Sequence, residues 1–369
     1  MKIFISTADH SGDFHASRLA AALKEAAPGL NLCGVGGPLM EAAGVKLAAR
    51  PAEKAVVGFF EVVRSLPAWR DFLDRAAAAG RREKPDLTVL VDSPSFNIRL
   101  ARRLAGNGGR FVYYISPQVW AWGAGRVREI ARLCREVLVI FPFETEIYRR
   151  AGVPVRFVGH PFLDEVRADR PAAETRRRLG LDPDRPLLLL LPGSRESEVR
   201  RLLPVLAATA AAAREKIDLQ TVLYPARPGL LDGWRPPAGI RVLPEGDKYS
   251  VFAAADLALA ASGSVTLELT LLGVPFILLY RLAAPTYWML RPMLRVRQAG
   301  ITNILAGRTV APEFLQGRCR PELILPETLA LLGDPARREE MKRQFLKVRE
   351  SLGEPGAARR AARRILELA

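Results

Sequence analysis

The stretch Leu187-Leu188-Leu189-Leu190-Leu191-Pro192-Gly193-Ser194-Arg195 decides the fold. A strand with one wet face alternates apolar and polar side chains. A strand that is apolar throughout is buried on both faces, as in a parallel sheet. Proline and glycine then stop the run, and a helix opens at the acidic residues that follow. The same grammar extends outward in both directions. Upstream, residues 3–6, 32–35, 87–91, 111–115, 137–141 and 155–158 read as strands. Downstream, residues 221–224, 241–243, 257–260 and 276–279 do so. Amphipathic stretches, such as 14–27, 125–134 and 172–179, read as the helices between them. Strands alternating with helices give parallel sheets with right-handed crossovers. Residues 159–171 break the rhythm before it restarts. The expectation is an α/β protein of two doubly wound, Rossmann-like domains facing a cleft. Residues 1–165 form the first domain and 166–345 the second. A C-terminal helix over 346–369 is expected to pack back on the first domain or on a dimer partner.

Composition narrows the class. The 369 residues suit two domains. Lys and Arg number 55 against 39 Asp and Glu, a net charge of +16. Such a surplus favours anionic membranes, polyanions or phosphorylated substrates, unless it reflects a general preference for Arg on helix surfaces. Cys33, Cys134 and Cys319 are far apart and form no CxxC pair, which predicts neither a zinc site nor a disulfide framework and fits a reducing cytoplasm. The first apolar run is too short for a signal peptide. No uncharged apolar stretch reaches the roughly 18–20 residues that span a bilayer.

Ligands of open parallel sheets bind at the carboxyl ends of strands, so the loops there carry the chemistry. The first runs from Thr7 to Asp13 and holds Asp9, His10, Ser11 and Gly12. Ser11 or Asp13 is a candidate helix cap, and two acids, a His and a Gly exceed what a cap needs. The second loop follows Val91: Asp92-Ser93-Pro94-Ser95-Phe96-Asn97. Asp92 reads as a general base, or as a turn-forming Asp. The third holds Trp120 and Trp122, which either pack against the domain or line an apolar acceptor site. In the second half, Gly193, Ser194 and Arg195 suit a diphosphate at a helix N-terminus. Ser262, Gly263 and Ser264 repeat the pattern, and Glu268 is placed for ribose hydroxyls or as ordinary first-turn charge. The segment 280–297 mixes Tyr, Trp and Met with Arg, as an interfacial helix or a buried one with basic edges. The dinucleotide and ATPase glycine fingerprints are both absent. The three histidines, His10, His15 and His160, do not have zinc-like spacing.

Taken in order, these loops resemble the bacterial lipid-A-disaccharide synthase family. The resemblance rests on ADHSGD from Ala8, GVGGPLMEAAG from Gly34, VGFFEVV from Val57 and KPDLTVLVDSPSFN from Lys84. It continues through YISPQVWAWGAGRV from Tyr114, FPFETEIY from Phe141, RFVGHPFLDEV from Arg156, LPGSRESEV, ASGSVTLE and NILAGR. It covers about residues 2–330.

The resemblance implies the GT-B architecture and a metal-free, cofactor-free, inverting transfer. The sugar moved is 2,3-diacylglucosamine, from UDP to 2,3-diacylglucosamine 1-phosphate, giving the β(1→6) disaccharide 1-phosphate. It implies Asp92 as candidate base, with Asp13 and Asp9 among the catalytic acids. Ser194 and Arg195 become diphosphate contacts, Glu268 the ribose contact and Asn303 a residue near the nucleotide. Asn97, His10, Ser11, Gly12, Trp120 and Trp122 fall on the acceptor side. A cytoplasmic enzyme on the anionic face of the inner membrane, with no nucleic-acid partner, is expected. The family's tendency to dimerise through its C-terminal region makes a homodimer the expected assembly. The sequence departs from the family at Ala8-Asp9, where Gly-Glu is usual, at His10, where Ala is usual, and after Trp122, where a basic run is usual. The rival readings are a UDP-N-acetylglucosamine 2-epimerase, a transferase for another lipid-linked sugar, and a basic nucleic-acid-binding scaffold.

Overall fold

The computed structural model describes residues 1–51, 59–106, 108–120, 125–243, 246–283, 287 and 298–369, with backbone alone over 59–67. Trp122 and residues 288–297, which carry most of the aromatic and basic segment, lie outside the described residues, as do the first residues of the Val57 motif. The chain forms two compact units. The first comprises Met1–Asp164 with Leu352–Ala369, and the second Glu165–Ser351.

In the first unit seven parallel strands form one sheet: β1 (Lys2–Ser6), β2 (Asn31–Val35), β3 (Lys46–Ala49), β4 (Leu87–Val91), β5 (Phe111–Tyr114), β6 (Cys134–Val139) and β7 (Val155–Phe157). Their order is β3-β2-β1-β4-β5-β6-β7. The chain winds outward one way from β1 and the other way from β4, so the switch point lies between them. Register sets Ser6 beside Leu90, which brings the loops after β1 and β4 together. β4 is buried along its whole length, as its LTVLV run predicts.

The second unit repeats the plan with β8 (Leu187–Leu191), β9 (Gln220–Leu223), β10 (Ile240–Val242), β11 (Leu257–Ala261), β12 (Phe276–Tyr280) and β13 (Glu313–Leu315). The order β10-β9-β8-β11-β12-β13 puts the switch between β8 and β11. Leu191 pairs with Ala260, so Pro192 and Gly193 stand beside Ala261 and Ser262. All five leucines of β8 are buried in the core of this unit.

Three features differ from the sequence reading. The edge strands β3 and β13 were not expected; they are short, and each begins at a charged residue. The first helix, His10–Ala26, starts four residues earlier than position 14, because Asp9 caps it through Gly12 N–H. Neither Ser11 nor Asp13 is the cap. The helix Pro335–Ser351 buries Met341, Phe345 and Val348 and belongs to the second unit throughout, so the chain returns to the first unit at Leu352 rather than at 346. There the helix Ala357–Leu368 packs on the helix His10–Ala26.

Candidate active site

At the β1/β4 switch point, Asp92 and Ser93 both adopt left-handed backbone, with φ of 47° and 44°. Non-glycine residues rarely do so, and such strain persists only where surrounding contacts hold it. Here Asn97 holds it. Its Nδ2 donates to the carbonyls of Val91 (3.0 Å), Asp92 (2.8 Å) and Ser6 (3.2 Å), and its Oδ1 accepts from Ser6 Oγ at 2.7 Å. Tyr113 donates to the Asp92 carbonyl as well, at 2.7 Å. Asn97 is fully buried. It therefore does not face an acceptor, as the resemblance implied, but fixes the turn that aims Asp92.

Ser93 joins the two loops. Its hydroxyl donates to Asp9 Oδ2, accepts from Ala8 N–H at 3.0 Å and lies 3.2 Å from Thr7 Oγ1. Sequence reasoning passed over Ser93 as a turn residue; only the register of β1 against β4 reveals it as the link. Gly12 is required beneath the loop, since a Cβ there would stand 1.9 Å from Thr7 Oγ1. Burial pushes the Asp92 carboxyl up to about 7, the nearby Asp9 charge adds to this, and the Ser93 backbone N–H opposes it. Asp9, His10 and Ser11 are exposed.

Asp13 has a different occupation from the catalytic one expected. It is buried, and its carboxylate accepts from the N–H groups of Gly37, Leu39 and Met40, each at 3.0 Å. It thus satisfies the N-terminus of the helix Pro38–Ala42, which carries no side-chain cap of its own. Both oxygens are committed to structure.

Beyond β5, Trp120 stands edge-on to Phe143 at 5.4 Å, partly buried. Beneath it lies Glu144, which sequence reasoning did not single out. Burial drives this carboxyl up to about 8, against the Phe141 N–H, the Trp120 indole and the Ser116 hydroxyl. Of these, Phe141 N–H (3.2 Å) and Ser116 Oγ (3.4 Å) are hydrogen bonds. The indole N–H points into the protein without meeting hydrogen-bond geometry. Nearby, His15 and His160 are both buried, with pKa values lowered by burial to about 4 and about 3. They are neutral packing groups at neutral pH: His160 lies 5.1 Å from the Phe141 ring and accepts from Phe162 N–H.

In the second unit two helices begin side by side at the β8/β11 switch point. The helix Glu196–Arg214 starts after Arg195 and the helix Ser264–Leu271 after Gly263, and neither has a side-chain cap. Their free N–H groups and aligned dipoles favour an anion. Gly193 lies at φ 112°, where a Cβ would come within 2.9 Å of Glu198 Oε2. Ser194, Arg195, Gly263 and Ser264 are exposed, and Arg195 reaches Glu198 at 2.9 Å. Ser262 is half-buried and donates to the Ala299 carbonyl at 3.3 Å. Tyr280, at the end of β12, is close enough to feel Glu198 and Arg195; burial first, then Glu198, raises its pKa.

Two expected nucleotide contacts are buried and have partners within the second unit. Glu268 is buried and paired with Lys248, whose Nζ lies 2.8 Å from Oε1 and 2.7 Å from Oε2. Asn303 is buried and donates to Ala311 O (2.7 Å) and Glu313 (2.8 Å) while accepting from Val310 and Ala311 N–H. It closes the 303–311 loop instead of facing a ligand. Glu313 also takes the Ala299 and Gly300 N–H groups, so this network sets the segment that Ser262 touches.

The sequence model of the family described as lipid-A-disaccharide synthetase matches residues 3–365. The chain belongs to the lipid-A-disaccharide synthase family. Relatives carrying the name lipid-A-disaccharide synthase agree. One from Syntrophus aciditrophicus is 43% identical, over 98% of this chain and 96% of its own. One from Myxococcus xanthus is 42% identical, over 100% and 97%. Among solved structures, the UDP-GlcNAc 2-epimerase from Neisseria meningitidis bound to UDP-GlcNAc matches with a TM-score of 0.63 at 11% identity, over 100% of this chain and 99% of that one. The calicheamicin glycosyltransferase CalG4 matches with a TM-score of 0.62 at 17%, over 100% and 98%. At such identities the likeness shows the fold alone, the GT-B pair of parallel α/β domains. Family membership, not fold, separates the transferase from the epimerase. The chain is accordingly a glycosyltransferase of lipid A biosynthesis.

Proposed function

We propose that this enzyme moves 2,3-diacylglucosamine from UDP to the 6-hydroxyl of 2,3-diacylglucosamine 1-phosphate, with inversion, yielding the β(1→6) disaccharide 1-phosphate and UDP. The observation that carries the reading is Asp92. It is held in left-handed backbone at the switch point of the first unit, with its carboxyl raised to about 7. A base is most effective when its pKa lies near working pH. Asp92 takes the 6-hydroxyl proton as that oxygen attacks the anomeric carbon and the bond to UDP breaks on the opposite face. The neighbouring Asp9 charge adds to the rise in the Asp92 pKa and so strengthens it as a base. His10 and Ser11, exposed on the same loop, lie on the acceptor side.

The donor's diphosphate suits the second unit. Two uncapped helix N-termini and the exposed Arg195 and Ser194 offset the negative charge that develops on departing UDP. This needs no metal or organic cofactor. The basic surplus supports a place on the cytoplasmic, anionic face of the inner membrane, and a homodimer is the proposed assembly. Among the described residues no helix is long and apolar enough to cross a membrane.

The test is direct turnover. Purified protein is incubated with UDP-2,3-diacylglucosamine and 2,3-diacylglucosamine 1-phosphate under a chelator, and lipid products are weighed by mass spectrometry. A disaccharide 1-phosphate that disappears in Asp92→Ala supports the reading. UDP-dependent thermal stabilisation without any disaccharide would send the acceptor assignment elsewhere.

A further inference from the structure

A cavity of about 570 Å³ opens on the helical layer of the first unit, lined by Arg102, Gly125, Arg128, Glu129, Arg132 and Leu133. Its walls are the helices Pro94–Ala105 and Gly125–Leu133, and its lining shares no residue with the loop that carries Asp92. Three guanidinium groups share it with one carboxylate. Arg102 takes that carboxylate, pairing through Nε with Glu129. Arg128 and Arg132 are exposed, stand one helical turn apart, and have no hydrogen bond or ion pair among the described residues. Like charges at this spacing repel. Arginines on neighbouring surface are arranged otherwise: Arg103 pairs with Asp74, and Arg149 and Arg150 share Glu146.

We propose that this cavity is an accessory anion subsite that takes a phosphate group between Arg128 and Arg132. Two planar guanidinium forks match phosphate oxygens bidentately. A bound anion removes their mutual repulsion. The phosphate is either that of an anionic lipid headgroup or free phosphate. The chemistry is the same in both, and the inference does not rest on the role of Asp92.

The experiment compares wild type, Arg128→Gln/Arg132→Gln, and Arg177→Gln/Arg178→Gln, which loses the same charge from exposed positions in the second unit. Each is titrated calorimetrically with inorganic phosphate at constant ionic strength. Each is also tested for flotation with phosphatidylcholine vesicles, with and without phosphatidylglycerol. The expected result is about a tenfold weakening confined to the cavity variant. Weakening toward inorganic phosphate alone identifies a soluble ligand; weakening toward anionic vesicles identifies a headgroup. Arg128→Lys/Arg132→Lys guards against misfolding, since it keeps the charge and removes only the bidentate geometry, and it too should weaken binding. Equal losses in the cavity and control variants, or no difference from wild type with either probe, overturn the proposal.

Discussion

Asp92 is disfavoured in two ways in the folded protein. Its left-handed backbone costs about 1–2 kcal/mol, and its charge is drawn out of water. A raised acid binds its proton more tightly when folded. The associated penalty is therefore absent below the ordinary value of 3.8, grows as pH rises, and is complete above about 7. Asp92→Asn should then lower turnover by about 10²–10⁴-fold. It should also raise stability above pH 7 by on the order of 1–4 kcal/mol, with no gain near pH 4, as thermal unfolding at the two pH values would show. Turnover of the wild type should fall as pH drops through about 7, where the base takes up its proton. Because the Asp9 charge raises the Asp92 pKa, Asp9→Asn should move that limb to lower pH in a pH–rate profile; an unmoved limb would remove Asp9 from the electrostatics. At this scale the sequence exposed Asp92 as a candidate, since a carboxylate after a buried run is conspicuous. It did not expose Ser93 or the commitment of Asp13, whose partners are distant in the chain, nor those of Asn97 and Asn303, which depend on how the nearby backbone turns back on them.

Elements are joined by single buried polar groups. Asp13 ties the helix His10–Ala26 to the start of the helix Pro38–Ala42. Asp13→Ala would strand three N–H groups, and a loss on the order of 3 kcal/mol in urea unfolding is expected. Asp13→Asn should lose less, because one amide oxygen can still accept. His15, in the same first helix, is kept neutral by burial. A basic group with a depressed pKa contributes stability above its ordinary 6.5 that disappears as pH falls toward about 4. His15→Phe should therefore remove part of the acid sensitivity, on the order of 1–3 kcal/mol at pH 4, measured by denaturant unfolding against wild type. Strands as elements were largely legible from continuous apolar runs. The edge strands β3 and β13 were not, although the edge strands β7 and β10, no longer than these, were.

At the scale of the molecule, the first unit is discontinuous in sequence. Leu352, Ala357, Ala361, Ala362 and Ile365 are fully buried in it. Arg364 reaches back to the buried Glu136, with Nε and Oε2 2.7 Å apart. Truncation after Ser351 would expose that apolar face and leave Glu136 without this partner. Hydrogen exchange of the truncated chain should show protection lost across the first unit and retained in the second. Equal loss in both units would contradict the division. The sequence by itself determined the parallel α/β architecture, the two halves and the loops at the carboxyl ends of the strands, because burial on both faces and glycine punctuation are local signals. Only the tertiary structure decided which polar groups are free for a ligand and which are consumed in holding the fold. Strand order and register, set by packing of the whole core, bring Ser93 to Asp9 across 84 residues. A side chain's partners are chosen by that packing, and nothing in its local sequence specifies them.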